Sequence, residues 1–174
     1  TNPLNAPFMV LATENPIEQE GTYPLPEAQI DRFMMKCHVE YPEAAEEKQI
    51  LTRFGDIDVE RIEKVVSPSV VAEKTPLIDS IYIDDKLIDY IVSVVNETRN
   101  PKNSDLARYI EYGASPRASI ALMKLSRGLA FVRGRGFVNP DDIKDIGMDV
   151  LRHRVILSYE AEAEEMTSDD LIKR

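Results

Sequence analysis

Three polar side chains stand where phosphate chemistry could use them. Asn15 follows the apolar run Phe8-Met-Val-Leu-Ala-Thr13, so its amide is expected at the carboxyl end of a buried strand, where open α/β sheets place their ligands. An amide can donate to one oxygen while accepting from another, which suits it to holding a water in line with a γ-phosphate. The plainer reading is a turn-forming Asn before Pro16. Arg32 ends the short helix expected over 26–32, and its guanidinium could steady the charge that spreads over phosphoryl oxygens in a transition state. Its plainer role is that of a cation at a helix C-terminus. Arg117 follows Ser115-Pro116, the cap and first position of a long helix, where the dipole repels a positive side chain. An external anion on the free amide donors would resolve that conflict; a solvated side chain or a salt bridge to Glu111 would also.

The elements that must position these residues fall into two parts. Residues 8–13 and 33–39 read as strands, the first a continuous apolar run typical of a strand covered on both faces. From Tyr41 onward the signals are helical. Pro42 opens a helix with Glu43, Glu46 and Glu47 in its first turn and Ile50, Leu51 and Phe54 expected to face inward, with Gly55 closing it. Asp84 or Asp85 caps a helix whose Leu87, Ile88, Ile91, Val92, Val94 and Val95 form a wide apolar stripe. The helix after Ser115 carries Leu122, Leu125, Leu129 and Val132 along one face and ends at Gly134 and Gly136. Asn139-Pro140 starts another helix, and Thr167-Ser-Asp-Asp170 has the form of a capping box. A short strand around Ile81 to Ile83 is the only β signal in this part. The expected architecture is mostly α, with a domain boundary between residues 40 and 41.

Composition narrows the function. The chain has 174 residues, 43% hydrophobic and 30% charged, ordinary for a globular protein with a real core. Acids outnumber bases 31 to 21, for a net charge of -10, which argues against a general nucleic-acid surface. Cys37 is the only cysteine, so no internal disulfide forms, and a reducing, cytoplasmic setting is expected. No apolar run approaches the roughly 20 residues that cross a bilayer. His38 and His153 lack partners at metal-ligand spacing, so no metal site is expected from them. Arg133-Gly-Arg-Gly136 reads as a helix end, and the acids between Glu160 and Glu165 as a solvated face.

The block Phe8 to Phe33, FMVLATENPIEQEGTYPLPEAQIDRF, resembles the segment of MoxR-type AAA+ ATPases that runs from the sensor 1 strand to the arginine finger. Gly113-Ala-Ser-Pro-Arg-Ala118 resembles the sensor 2 motif of the same family. The resemblance implies that Asn15 and Arg32 are catalytic, the latter as a finger acting on a neighbouring subunit, and that Arg117 binds nucleotide from a helical lid. It divides the chain into the C-terminal remnant of an AAA+ α/β core, residues 1–40, and an all-α lid, residues 41–174. No G-x-x-x-x-G-K-[ST] occurs, and no apolar run ends in Asp-Glu, so the phosphate loop and the metal-holding acid of such enzymes are absent from this chain. It therefore reads as the C-terminal part of a longer ATPase and is expected to be inactive alone.

For the parent protein the resemblance implies ATP and Mg2+ as cofactors and a homo-oligomeric ring, a hexamer. It further implies chaperone-like remodelling of client proteins or metal-cofactor insertion, beside a partner with a von Willebrand factor A domain. Two other readings stand beside it: a non-enzymatic helical interaction module, and the ATPase subunit of a magnesium-chelatase-like complex. In isolation, unpaired strand edges at 8–13 and 34–39 would favour self-association or disorder.

Overall fold

The structure, a computed structural model, describes residues 7–14, 25–54 and 63–174. It is mostly α, as expected. In chain order its elements are α1 (Glu27–Ile30), α2 (Ala44–Phe54), α3 (Pro68–Asp79), α4 (Asp85–Arg99), α5 (Ser104–Ala107), β1 (Ile110–Tyr112), α6 (Pro116–Val132), α7 (Pro140–Leu151), β2 (Ile156–Leu157), α8 (Tyr159–Ala163) and α9 (Ser168–Ile172).

The core is built around α6, which packs on α7 and α4. Its buried face is a row of small residues, Ala118, Ala121, Ser126 and Ala130, around Leu122. Small side chains let the α7 backbone approach, so Ile143, Ile146 and Val150 fill the seam. From α4 come Ile91 and Val95, the fully buried members of the expected stripe. Leu87, Ile88 and Val94 are half-buried at its edge, while Val92 lies 53% exposed.

Local chemistry sets the helix ends. Asp84 caps α4 by accepting from Lys86 N at 2.9 Å, and Ser115 caps α6 by accepting from Arg117 N at 3.2 Å. Asn139 with Asp142, and Thr167 with Asp170, make complete capping boxes for α7 and α9. The end of α6 is a Schellman motif: Gly134 N donates to Phe131 O, and Arg135 N to Ala130 O. Gly134 takes φ +71° to do so, a left-handed conformation that glycine adopts without a Cβ penalty. The same pair of bonds closes α8, from Glu165 N to Glu162 O and from Met166 N to Ala161 O.

Several expectations need correction. Residues 8–13 and 33–39 are not in strands. A strand covered on both faces needs neighbours on its edges, and no described segment pairs with either run. Ile50 and Leu51 on α2 do not face inward; Leu51 is 73% exposed, and the side chain of Phe54, like Gly55, lies outside the described residues. A helical apolar stripe shows that a face could be buried, not what covers it. Val132 has rotated off the core face of α6 and is 81% exposed. The strand expected at Ile81–Ile83 is a single parallel bridge between Tyr82 and Phe137. The only sheet among the described residues is the antiparallel pair of β1 and β2, with Ile110 opposite Leu157 and Tyr112 opposite Ile156.

Gly113, between β1 and α6, fixes how α6 meets α4. A Cβ there would lie 2.3 Å from the Thr98 carbonyl oxygen. Beside it, Ala114 N donates to Thr98 Oγ at 2.9 Å, and Arg99 Nε to Ala114 O at 2.6 Å. The approach to Arg117 is thus tied to the end of α4. Gly113→Ala should force this junction apart and destabilise the chain by about 1–3 kcal/mol, the usual cost of overpacking. Urea unfolding will check it; a midpoint within error of wild type would mean that the junction yields freely.

Candidate functional site

The segment after α1 lies against the N-terminus of α6 and the end of α7. Here Arg32 and Arg117, 85 positions apart in sequence, line one depression of about 150 Å³ with Asp31, Met34, Ile120, Ala121, Lys124 and Arg154. Four cations and one carboxylate line it. That surplus of positive charge stands out in a chain of net charge -10. Asn15 lies outside the described residues.

Asp31 is the hub. Ser115 Oγ is 3.1 Å from its Oδ1 and 2.9 Å from its Oδ2. Arg117 Nη1 donates to Oδ2 at 3.0 Å, and Arg154 Nε to Oδ1 at 3.0 Å. Burial works to raise the Asp31 pKa, but the bonds from Arg117, Ser115 and Arg154 outweigh it and hold the carboxyl below its ordinary value. The conflict between Arg117 and the helix dipole is thus met in part from inside the chain. The partner is Asp31 and not Glu111, which sequence proximity had suggested. Arg117 still projects into solvent, its side chain 56% exposed. Arg32 is exposed as well and makes no side-chain hydrogen bond among the described residues.

Beneath the depression, the chain from 31 to 36 is strapped along the end of α7. Arg154, 5% exposed, donates through Nη1 to Met34 O at 3.2 Å and Val150 O at 2.5 Å, and through Nη2 to Asp31 O at 3.1 Å and to Phe33 O. His153 Nε2 lies 3.2 Å from Phe33 O. Lys36 N donates to Asp149 O at 2.8 Å, and Arg152 Nη1 to Lys36 O at 3.3 Å. Burial pushes the His153 pKa down, with the nearby Arg154 charge adding to the effect.

A larger depression, about 240 Å³, is lined by Lys36, His38, Arg152, Thr167, Ser168 and Asp169. Arg152 there already pairs with Asp149 and Asp169, each at 3.1 Å, and the sequence-predicted residues lie elsewhere. The smaller depression is the better candidate on chemistry. A polyphosphate fits its donor set, which offers guanidinium and ammonium groups and little competing negative charge. Among the described residues no group of three His, Cys, Asp or Glu is placed to hold a metal ion.

Residues 1–35 match the family described as ATPase family associated with various cellular activities (AAA), and residues 103–174 match the AAA lid domain family. Chaperone MoxR1 of Mycobacterium tuberculosis is 41% identical over all of this chain, which covers 47% of that protein. The chain belongs to the MoxR family of AAA+ proteins. Protein MoxR of Paracoccus denitrificans is 30% identical over 87% of the chain and 49% of its own length. The 2.00 Å crystal structure of a candidate ATPase from Cytophaga hutchinsonii superposes with a TM-score of 0.91 at 44% identity, over 99% of this chain and 53% of that one. The chain therefore spans about half the length of the MoxR relatives it matches. The depression is built from both family matches: Asp31, Arg32 and Met34 come from the first, and Arg117, Ile120, Ala121, Lys124 and Arg154 from the second.

Sequence reasoning singled out Arg32 and Arg117 but missed Asp31, Lys124 and Arg154. Asp31 stands next to Arg32 in Gln29-Ile-Asp-Arg-Phe33, and a carboxylate beside a candidate finger is a signal that could have been followed. Arg154 carries no local signal, because what it holds is 123 positions away.

Proposed function

We propose that this chain is the nucleotide-sensing part of a longer MoxR-type ATPase, with residues 1–40 closing its α/β core and residues 41–174 forming the lid. The observation that carries the proposal is the convergence of Arg32 and Arg117 on one cation-lined depression at the start of a long helix. Arg117 grips nucleotide phosphates, using donors that Asp31 leaves open. Arg32 serves as the finger toward a nucleotide held by a neighbouring subunit, in a homo-oligomeric, hexameric ring. Asn15 positions the attacking water, a role supported by its residue type and its place after the apolar run. ATP, when bound with Mg2+ by the rest of the protein, supplies the phosphoryl group. With no phosphate loop of its own, this chain is inactive alone.

Movement of the lid with Arg117 couples phosphate loss to work on other proteins. The relative named a chaperone supports client remodelling as that work. Metal-cofactor insertion and a partner with a von Willebrand factor A domain extend the proposal. MoxR membership favours this reading over a magnesium-chelatase subunit. An interaction module has one observation on its side, the face of α3, where Val70, Val71 and Leu77 are exposed.

The test is nucleotide binding and turnover by the longer protein with Arg117→Ala. Loss of one charge-assisted phosphate contact should weaken ATP binding about tenfold or more. Unchanged affinity and rate would remove Arg117 from the site and favour the interaction module.

A further inference from the structure

Arg154 lines the depression, yet its donors are spent. A guanidinium has five N–H groups. In Arg154 they go to the Asp31 carboxylate and to the carbonyls of Asp31, Phe33, Met34 and Val150. An incoming anion would have to break one of these bonds to reach it. Arg117 is the opposite case: among the described residues its side chain makes one hydrogen bond, to Asp31 Oδ2. The two arginines share one carboxylate, so Asp31 is neutralised by its buried partner Arg154, while Arg117 is oriented without losing its net charge. Arg154 also holds the carbonyls on both sides of Arg32, those of Asp31 and Phe33.

We propose that Asp31 and Arg154 are positioning residues: Arg154 fixes Asp31 and the backbone flanking Arg32, and Asp31 aims Arg117 into the depression, so that both arginines are set by one pair of which Arg154 is buried and Asp31 half-buried. This rests on the reading of Arg117 as a phosphate ligand, and the test separates the two. Aiming matters because a phosphate contact is worth most when the guanidinium need not give up rotamer freedom on binding.

Simple electrostatics and positioning predict opposite signs for Asp31→Asn. Removing a negative charge from a cationic depression should tighten anion binding on Coulomb grounds. Loss of aim should weaken it. The measurement is calorimetric titration of tripolyphosphate into the full chain at low salt, for wild type, Arg117→Ala, Asp31→Asn and Arg154→Lys, each with a thermal unfolding curve. We expect Asp31→Asn to bind about tenfold more weakly, and Arg154→Lys, which keeps the charge but loses the fork, to weaken binding severalfold. Equal or tighter binding by Asp31→Asn, with Arg117→Ala impaired, would overturn the positioning role alone. Full binding by Arg117→Ala, or none by wild type, would overturn the phosphate reading and this proposal with it. If Asp31→Asn does not fold, Arg154→Lys decides, with wild-type affinity counting against positioning.

Discussion

Arg32→Ala in the longer protein should reduce ATP turnover by about 10³-fold, the low end of the range for finger arginines. Nucleotide binding should remain near wild type. The side chain is exposed at the end of α1 and engages no described residue of its own chain, so its removal leaves the fold intact. The backbone beneath it is held by Arg154 and does not depend on the Arg32 guanidinium. A finger acts in trans, so mixing Arg32→Ala subunits with subunits defective in nucleotide binding should restore some turnover, because intact fingers then face competent sites. Full activity in the single variant would show that Arg32 plays no part in the reaction.

Asp142→Ala should destabilise the chain by about 3 kcal/mol. Asp142 is fully buried and serves two structures at once. It completes the α7 capping box, accepting from Asn139 N at 2.9 Å. It also receives Arg133 Nη1 at 3.0 Å and Arg135 Nη1 at 2.8 Å, with a further bond from Arg135 Nη2, which pins the loop after α6 to the start of α7. Arg133 keeps Asp145 as a second partner, which tempers the loss. Burial works to raise the Asp142 pKa, but Arg135, the Asn139 amide and Arg133 hold it below the ordinary value. A depressed carboxylate contributes stability above its unfolded pKa and loses it as pH falls through the folded one. The variant should therefore converge with wild type in strongly acidic solution. Urea unfolding at neutral pH and near pH 3 will measure both; a cost under 1 kcal/mol at neutral pH would mean that the arginines and the cap find other partners.

The features legible in the sequence are those whose causes lie within a few residues. Asp84, Ser115, Asn139 and Thr167 cap their helices because side chain and backbone donor are two or three positions apart, and the proline or acid that completes each signal stands beside them. Arg117 was legible for the same reason, as a cation in the first turn of α6. The partners of these residues were not. Glu111 is six positions from Arg117 and Asp31 is 86, yet the fold chose the latter. The sheet of β1 and β2 escaped notice because each strand is two or three residues long and the two are joined by α6 and α7. The apolar run at 8–13 has the composition of a strand, but strandness belongs to a pair, and none of its described neighbours supplies the other edge.

The strap between residues 31–36 and the end of α7 also dictates the order in which this chain can be completed during synthesis. Asp31 cannot meet Arg154 until 123 more residues have been translated. At roughly 5–20 residues per second that is a delay of about 6–25 s. Throughout that interval the apolar residues Phe8 to Leu11, exposed in this structure and made before residues 31–36, precede a stretch that has no anchor. The helices that form the core can settle as they emerge, since their contacts are comparatively local, but the candidate site closes only once α7 and Arg154 have been made. A truncation just before Arg154 would therefore keep most of the helical core and still leave Arg32 without its seat.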